Sequence, residues 1–235
     1  MAIKTVFFDL DGTLLPMDQE KFIEDYIRRL CMYLAPHGYD PKAVADALWK
    51  GTAAAVVNDG SVTNEKRFWQ VFSALLGEKI LSDAPIFDRF YREEFPKVKE
   101  SAGFNPKAKG LIESLKARGI GCVLATNPVF PAAATYHRIR FAGLEVEDFR
   151  FVTTFENSSF CKPNPDYYRE LLEKLDLKAE ECLMVGNDAH EDTAAAKAGL
   201  EVFLLTDCLI NSKGHDIAAI PHGDWAALQK RLGEI

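Results

Sequence analysis

A short apolar run that ends in two aspartates, Asp9 and Asp11, most constrains the fold of this chain. The run Val6–Phe8 is continuously apolar and β-branched or aromatic, which is typical of a strand covered on both faces of a sheet. In an extended chain, residues two apart point to the same side, so the two carboxylates should converge where the strand ends. Gly12 follows, as a tight turn would need. Because adjacent acids repel and lose hydration, we interpret the pair as functional, with a solvated turn as the alternative.

The composition is that of an ordinary globular protein, with 235 residues, 48% of them hydrophobic and 27% charged. The formal net charge of −7 and the lack of a basic cluster argue against nucleic-acid binding. No apolar run reaches the length of a membrane span, and the first residues lack the features of a signal peptide. Five cysteines without metal-ligand spacing are most simply reduced thiols. We therefore expect a cytoplasmic protein, a monomer or weak homodimer, with no membrane or nucleic-acid partner.

The segment that follows the two aspartates carries helical patterns and no competing strand pattern. Four helices are predicted, with Asp18 as a plausible N-cap of the first and Pro41 at the start of the second. The fourth should end before Pro96, and a turn separates the second helix from the third at 58–61. The sequence therefore predicts a helical domain over 16–101, inserted into a core domain made of 1–15 and 102–235.

Strands and helices alternate from about residue 105 to the end of the chain. Strands are predicted at 121–126, 151–155, 182–186 and 202–205, and a small-residue helix over 193–198 should be closed by Gly199. The last helix is predicted around Trp225. Strands that alternate with helices of this length form a parallel sheet with right-handed crossovers, so the fold class is α/β.

Polar residues follow three of the predicted strands at the point where each strand ends. Because parallel strands share one carboxyl edge, these side chains should meet there with Lys162 and Asp192. Carboxylates in excess of cations indicate a hard divalent metal, usually Mg²⁺, and a lysine with small donors beside a metal suits a phosphate. The three strand-end pairs are Asp9 with Asp11, Thr126 with Asn127, and Asn187 with Asp188.

Four segments, in this order, resemble the motifs of the haloacid dehalogenase-like (HAD) superfamily: Asp9–Thr13, Thr126, Lys162–Pro163, and Gly186–Asp188 with Asp192. The likeness spans nearly the whole chain, and the helical insert is similar to that superfamily's first type of helical cap. It implies a Rossmann-like, doubly wound core. One departure is Asn187, which stands where many members carry an acid.

The resemblance also implies a role for each motif residue. Asp9 would be the nucleophile that forms an aspartyl-phosphate, and Asp11 would protonate the leaving group and then activate water. The predicted phosphate-binding residues are Thr126, Asn127 and Lys162. The predicted Mg²⁺ ligands are Asp9, the backbone carbonyl of Asp11, and Asp188, with Asp192 and Gly12 in support. Crowding by Asp9 should raise the proton affinity of Asp11.

Simpler interpretations of these residues stay open. Lys162 could be a surface lysine, Thr126 could only cap a helix, and Asp188 with Asp192 could form a solvated helical turn. His190 could ligate metal, although Mg²⁺ prefers oxygen ligands and an exposed loop histidine is favoured.

The leading functional hypothesis is a Mg²⁺-dependent phosphatase acting on a small phosphorylated metabolite. A phosphomutase and a phosphonatase are the alternatives on the same fold, and the latter would need a Schiff-base lysine such as Lys21, Lys50 or Lys66. A non-catalytic phosphate- or partner-binding module is the alternative of another class. The helical domain should act as a lid that selects the substrate, and the turn at 58–61 is predicted to reach the site.

Overall fold

The computed structural model describes residues 2–235; Met1, the first residue of the predicted core domain, lies outside the described residues. Its centre is a six-stranded, wholly parallel sheet in the order β3-β2-β1-β4-β5-β6. The α/β class predicted from the sequence is therefore confirmed. The strands are β1 Thr5–Phe8, β2 Gly121–Leu124, β3 Phe151–Val152, β4 Cys182–Gly186, β5 Glu201–Leu205 and β6 His222–Gly223.

Strand β1 lies inside the sheet, paired with β2 on one side and β4 on the other. All four of its residues are buried, as the continuous apolar run predicts. Val6 and Phe8 belong to one apolar cluster and Phe7 to another, because alternate side chains leave opposite faces of a strand. The sheet is thus covered on both faces, which brings the residues that follow β1 to the middle of its carboxyl edge.

Four helices of the sheet-forming part flank these strands. The cluster around Phe7 includes Tyr167 and Tyr168, whereas that around Val6 includes Ile112 and Leu228, so helices cover both faces. This is the doubly wound arrangement that the resemblance implies. The helices are α6 Lys107–Ala117, α7 Ala132–Phe141, α8 Pro165–Leu175 and α9 Trp225–Gly233.

Between β1 and α6 the regular elements of the chain are all helices. The three long ones begin at side-chain caps, with Asp18, Asp40 and Thr63 each accepting a backbone N–H of the first turn. Separate helices of this block pack on one another through aromatic pairs such as Trp69 with Phe87. The helices are α1 Gln19–Leu34, α2 Pro41–Val56, α3 Asn64–Leu76, α4 Lys79–Ser82 and α5 Ala84–Arg89.

The end of this helical block differs from the sequence-based prediction. Pro96 does not end a fourth helix: a π-helical turn, Phe90–Glu94, leads directly into a 3₁₀ helix, Phe95–Ser101. Pro96 lies in the first positions of that 3₁₀ helix, where its missing N–H forfeits no helical hydrogen bond. The proline therefore begins a helical segment where the sequence pattern predicted an end.

Three further elements depart from the predicted pattern. Strand β3 is two residues long where five were predicted, and the hydroxyl of the next residue, Thr153, donates to the carbonyl of Thr126. The segment Asp192–Ala198 forms a 3₁₀ helix, although Gly199 closes it in a left-handed conformation as predicted. Strand β6 was not predicted, because its sequence carries no strand pattern. None of the helices within residues 2–235 combines the length and apolar character that a membrane crossing requires.

Candidate active site

Asp9 follows β1 directly and is 7% exposed. Its backbone N–H donates to the carbonyl oxygen of Val185 at 2.9 Å, so the residue is held by the pairing of β1 with β4. Burial raises the pKa of Asp9 to about 7, against the opposing effect of Lys162. A carboxylate in this place is costly without a cation beside it.

Lys162 is the cation that Asp9 meets. Its side chain is 1% exposed, and its ammonium donates to Asp9 Oδ1 at 2.9 Å and to Asp192 Oδ1 at 2.6 Å. Burial alone would lower the pKa of Lys162, but the two carboxylates outweigh it and raise that pKa well above its usual value. The structure therefore contradicts the surface-lysine alternative: this ammonium is buried between two acids.

Asp11 contacts Arg138 of α7, and the guanidinium is 1% exposed. Arg138 also donates to Thr135 Oγ1 at 3.2 Å and lies over the Phe130 ring, 4.3 Å from its centroid. Burial raises the pKa of Asp11, and Arg138 partly opposes the rise. Burial is thus the largest cause of the raised pKa of Asp11, and the repulsion between the two carboxylates contributes to the raised pKa of Asp9.

The residues after β4 form a tight loop around Asp188. The Asp188 Oδ1 atom accepts the backbone N–H groups of His190 at 2.7 Å and Glu191 at 2.9 Å. Asp192 Oδ2 accepts the backbone N–H of Asp188 at 2.8 Å. The carboxylate of Asp192, wholly buried, thus joins Lys162 to the loop that presents Asp188.

Two glycines let these acidic loops approach each other. Gly12 has a φ of +86°, and a Cβ there would lie 2.2 Å from Asn187 Nδ2. A Cβ on Gly186 would lie 2.0 Å from Asp192 Oδ2. Asn187 itself accepts from Thr13 Oγ1 at 2.9 Å and donates to the Cys208 carbonyl at 2.8 Å. At the position where many family members carry an acid, this chain has an amide that fastens the two loops together.

Thr126 and Asn127 follow β2 as predicted. The Thr126 carbonyl accepts from Thr153 Oγ1 at 2.7 Å and from the Tyr167 hydroxyl at 2.9 Å, which fixes the end of the strand. The Asn127 side chain accepts the backbone N–H of Lys162 at 3.2 Å and donates to Glu191 Oε2 at 3.0 Å. Asn127 thereby connects the loop after β2 with the lysine segment.

These loops border a cavity of about 230 Å³. Lys162 lies behind the wall of this cavity, where its ammonium contacts Asp9, and Asp9 in turn lines the cavity. Helices α1 and α2 supply part of the opposite side, including Gln19, Ile23 and Thr52. The predicted site residues that line the cavity are Asp9, Asp11, Thr126, Asn127, Asp188 and Asp192.

Two other predictions about this region have different outcomes. The turn at 58–61 does not line the cavity, so the prediction that it reaches the site is wrong. Asn58 instead donates to the carbonyl of Ser159 at 2.8 Å, and Gly60 lies against Phe160. His190 is directed to a neighbouring surface, with its Nε2 atom 2.6 Å from Lys213 Nζ and its ring stacked on His215.

Sequence reasoning missed two charged residues of the site. Arg138 lies on a helix with several basic residues, and the sequence does not distinguish it from the others. Glu191 lies between the two aspartates of the last motif. Burial raises the pKa of Glu191 to about 8, and its carboxyl accepts from Asn127 in the cavity wall. Its position one residue before Asp192 was the only available signal.

The oxygen-rich lining suits a Mg²⁺ ion. Mg²⁺ usually takes one or two carboxylates and completes its shell with water and substrate phosphate. Within residues 2–235, no group of three acidic, histidine or cysteine side chains is arranged to hold a metal ion by itself. Asp9 and Asp188 offer carboxylates. Among the described residues, the Asp11 carbonyl accepts one hydrogen bond, from Gln19 Nε2 at 3.1 Å, which leaves a second lone pair. The burial that raises the pKa of Asp9 would favour a neighbouring cation.

Known proteins resemble the chain along most of its length. A pyrophosphatase, PpaX of Bacillus cereus, is 26% identical over 200 residues, covering 85% of this chain and 81% of that protein. A phosphoglycolate phosphatase of Yersinia pestis is 28% identical over 209 residues, covering 87% and 82% respectively. The magnesium-bound structure of the HAD-hydrolase YfnB from Bacillus subtilis covers 99% of both chains with a TM-score of 0.57 and 22% identity.

The family assignment depends on the match to a family model. The model of the haloacid dehalogenase-like hydrolases matches residues 3–199, which include β1, the helical insert, Lys162 and the loop after β4. The match thus contains all four motifs that the sequence presents and the buried residues that join them. This chain belongs to the haloacid dehalogenase-like hydrolase family.

Proposed function

We propose that the protein is a Mg²⁺-dependent phosphatase that hydrolyses a small phosphorylated metabolite through a phosphoryl group carried on Asp9. The observation that supports this most is the buried position of Lys162 between Asp9 and Asp192, behind the wall of the cavity. A lysine in that position orients the carboxylate and places a positive charge beside the oxygens of a phosphoryl group. The phosphatases named among the relatives agree with this assignment.

The first step transfers the phosphoryl group to the protein. An oxygen of Asp9 attacks phosphorus, an acyl-phosphate bond forms, and the bond to the ester oxygen breaks. Asp11 gives its proton to the departing oxygen, and the raised pKa of Asp11 favours the protonated form that this step needs. Thr126 and Asn127 line the same cavity and supply donors for the phosphoryl oxygens.

The second step returns the protein to its starting state. Asp11, now a carboxylate held by Arg138, removes a proton from water, and the water oxygen attacks phosphorus. The bond from phosphorus to Asp9 breaks and inorganic phosphate leaves. When bound to Asp9, the Asp11 carbonyl and Asp188, Mg²⁺ would offset the repulsion between carboxylate and phosphate.

The helical block 16–101 is proposed to act as a separate cap. The chain enters and leaves it side by side, because the N–H of Gly103 donates to the carbonyl of Pro16 at 2.7 Å and Met17 pairs with Ala102. Two adjacent linkers form a short hinge, and α1 and α2 contribute to the cavity wall. The cap would therefore enclose the ester and select it.

The structure offers less support for the alternative activities. A phosphonatase needs a lysine that can form a Schiff base in the site, yet none of the three candidates lines the cavity within residues 2–235. No observation favours a phosphomutase over a hydrolase. A non-catalytic binding module would have no need for the buried contact between Asp11 and Arg138.

Quenched turnover tests the proposal. The protein is mixed with Mg²⁺ and a phosphate monoester, the reaction is stopped in acid, and the protein is digested. The peptide that contains Asp9 should gain the mass of one phosphoryl group. Two variants form a matched pair: Asp9→Asn removes the proposed nucleophile, whereas Asn164→Asp changes a helix cap outside the cavity. Only the first should lose the adduct and phosphate release. Phosphate release at full rate by Asp9→Asn would refute the mechanism.

A further inference from the structure

A second cavity, of about 90 Å³, adjoins the candidate active site and has a different character. The two cavities share four lining residues, Ile23, Thr52, Val129 and Phe130. Helices α1, α2 and α3 surround most of this second cavity, the apolar chamber. A group attached to a phosphate in the active site can therefore extend towards this chamber across a common wall.

The lining of the apolar chamber is aromatic and aliphatic. Among the described residues that form it, none is a lysine, arginine, histidine, aspartate or glutamate. Its two tyrosines, Tyr26 and Tyr91, have their hydroxyl oxygens 2.8 Å apart and so satisfy each other. A second anionic group placed there would lose its hydration without a counter-charge, which is strongly unfavourable.

The chamber also lies on the side where the leaving group departs. Asp11 is the proposed acid for the ester oxygen, and its partner Arg138 lies 4.3 Å from the centroid of the Phe130 ring, a wall of the chamber. The guanidinium cannot serve as a free anion receptor, because it is 1% exposed and already holds Asp11. From the proton donor outward, the surroundings thus change from polar to apolar.

We infer that the apolar chamber binds the leaving group, so that the preferred substrates are phosphate monoesters of alkyl or aryl alcohols without a second anionic group. This inference rests on the proposed function and narrows it. It separates the chain from relatives named for pyrophosphate and phosphoglycolate, whose substrates carry a second anionic group.

Turnover of ethyl, butyl and hexyl phosphate tests the inference, because these leaving groups have nearly equal acidity and differ only in apolar length. We expect kcat/KM to rise by about fourfold for each methylene that becomes buried, until the chamber is full. Hexyl phosphate should also exceed 2-phosphoglycolate and pyrophosphate. A flat or falling dependence on chain length would overturn the inference.

Binding of ethyl-, butyl- and hexylphosphonate, measured by calorimetry with Mg²⁺, separates this inference from the proposed function. These compounds cannot be hydrolysed at their carbon–phosphorus bond, so their affinity reports the chamber alone. Affinity that rises with length while no ester is hydrolysed would refute the phosphatase and support the chamber as a binding site for the attached group. Equal affinities would refute the chamber's role whatever the turnover.

A charge placed at the common wall gives a matched test. Thr52→Lys should reduce the advantage of hexyl over ethyl phosphate and raise the relative kcat/KM for 2-phosphoglycolate, since the new ammonium can pair with its carboxylate. Leu81→Lys adds the same charge at a half-exposed helix position that lines neither cavity, and its substrate ranking should match the unaltered protein. Thermal melts establish that both variants fold, and the two chain-length series decide the question independently. An unchanged ranking in folded Thr52→Lys would contradict the inference.

Discussion

Replacing Lys162 by Met should destabilise the metal-free protein strongly. Methionine retains an unbranched apolar stem but removes the ammonium, which leaves Asp9 and Asp192 buried without their common cation. Removing one partner from a buried ion pair typically costs about 3–5 kcal/mol. For a chain of this size, the melting temperature should fall by about 2–4 °C per kcal/mol, hence by about 6–20 °C.

The loss should depend on pH in a defined direction. Lys162 lowers the pKa of Asp9, so its removal lets burial raise that pKa above its value of about 7. At pH 8 the variant must either bury an unpaired carboxylate or take up a proton, whereas at pH 5 Asp9 is already protonated. The difference in melting temperature should therefore be larger at pH 8 than at pH 5, and Mg²⁺ should restore part of it at pH 8.

Lys109→Met is the matched control. Lys109 also contacts a carboxylate, with its ammonium 2.7 Å from Asp148, but its side chain is 39% exposed and Lys116 contacts the same carboxylate at 3.4 Å. Such a pair contributes about 0–1 kcal/mol. Differential scanning calorimetry in EDTA compares the two variants. If Lys162→Met lost no more stability at pH 8 than Lys109→Met, the buried ion pair could not have the energetic role assigned to it.

Three further changes test the roles of the site carboxylates. Asp9→Asn should abolish phosphate release, yet raise the melting temperature of the metal-free protein at pH 8. The pKa of Asp9 in the folded protein, about 7, exceeds the ordinary value, so the stability that the protonated carboxyl contributes is lost as the pH rises through 7. A lower melting temperature of the variant at pH 8 would contradict this. Asp11→Asn should slow alkyl phosphates by about 10²-fold or more and nitrophenyl phosphate less, since a good leaving group needs little protonation; equal losses in steady-state assays would exclude the acid role. Arg138→Met removes the cation that lowers the pKa of Asp11, so the alkaline limb of the pH profile of kcat/KM should move to higher pH. An unmoved limb would show that Arg138 does not control the protonation of Asp11.

Local patterns were sufficient to predict the strands that position the site. The apolar run before Asp9 and the strand before Asn187 were predicted from their composition alone, because buried parallel strands require such runs. Asp18 and Pro41 marked helix starts through bonds made within one turn. Motif order and spacing then indicated the family, and the matched family model confirms it.

The roles of the individual site residues stay predictions, although the structure brings most of them together. These predictions include the catalytic roles of Asp9 and Asp11 and the assignment of Asp188 to the metal. The division into a core and a cap also stays a prediction. The paired linkers at Pro16 and Gly103 make it testable, because hinge variants there should alter closure without touching the carboxylates.

The alternation of strands and helices and the order of the acidic motifs can be predicted from the sequence, because these features depend on neighbours in the chain. Which charges meet depends on how distant segments pack in the fold. Arg138 contacts Asp11 across 127 positions, and Lys162 becomes wholly buried because β1 and the loop after β4 converge on it. The sequence likewise shows aromatic helices, but only their packing leaves an apolar chamber beside the site. Contacts between distant segments arise when the chain closes on itself, and no local period encodes them.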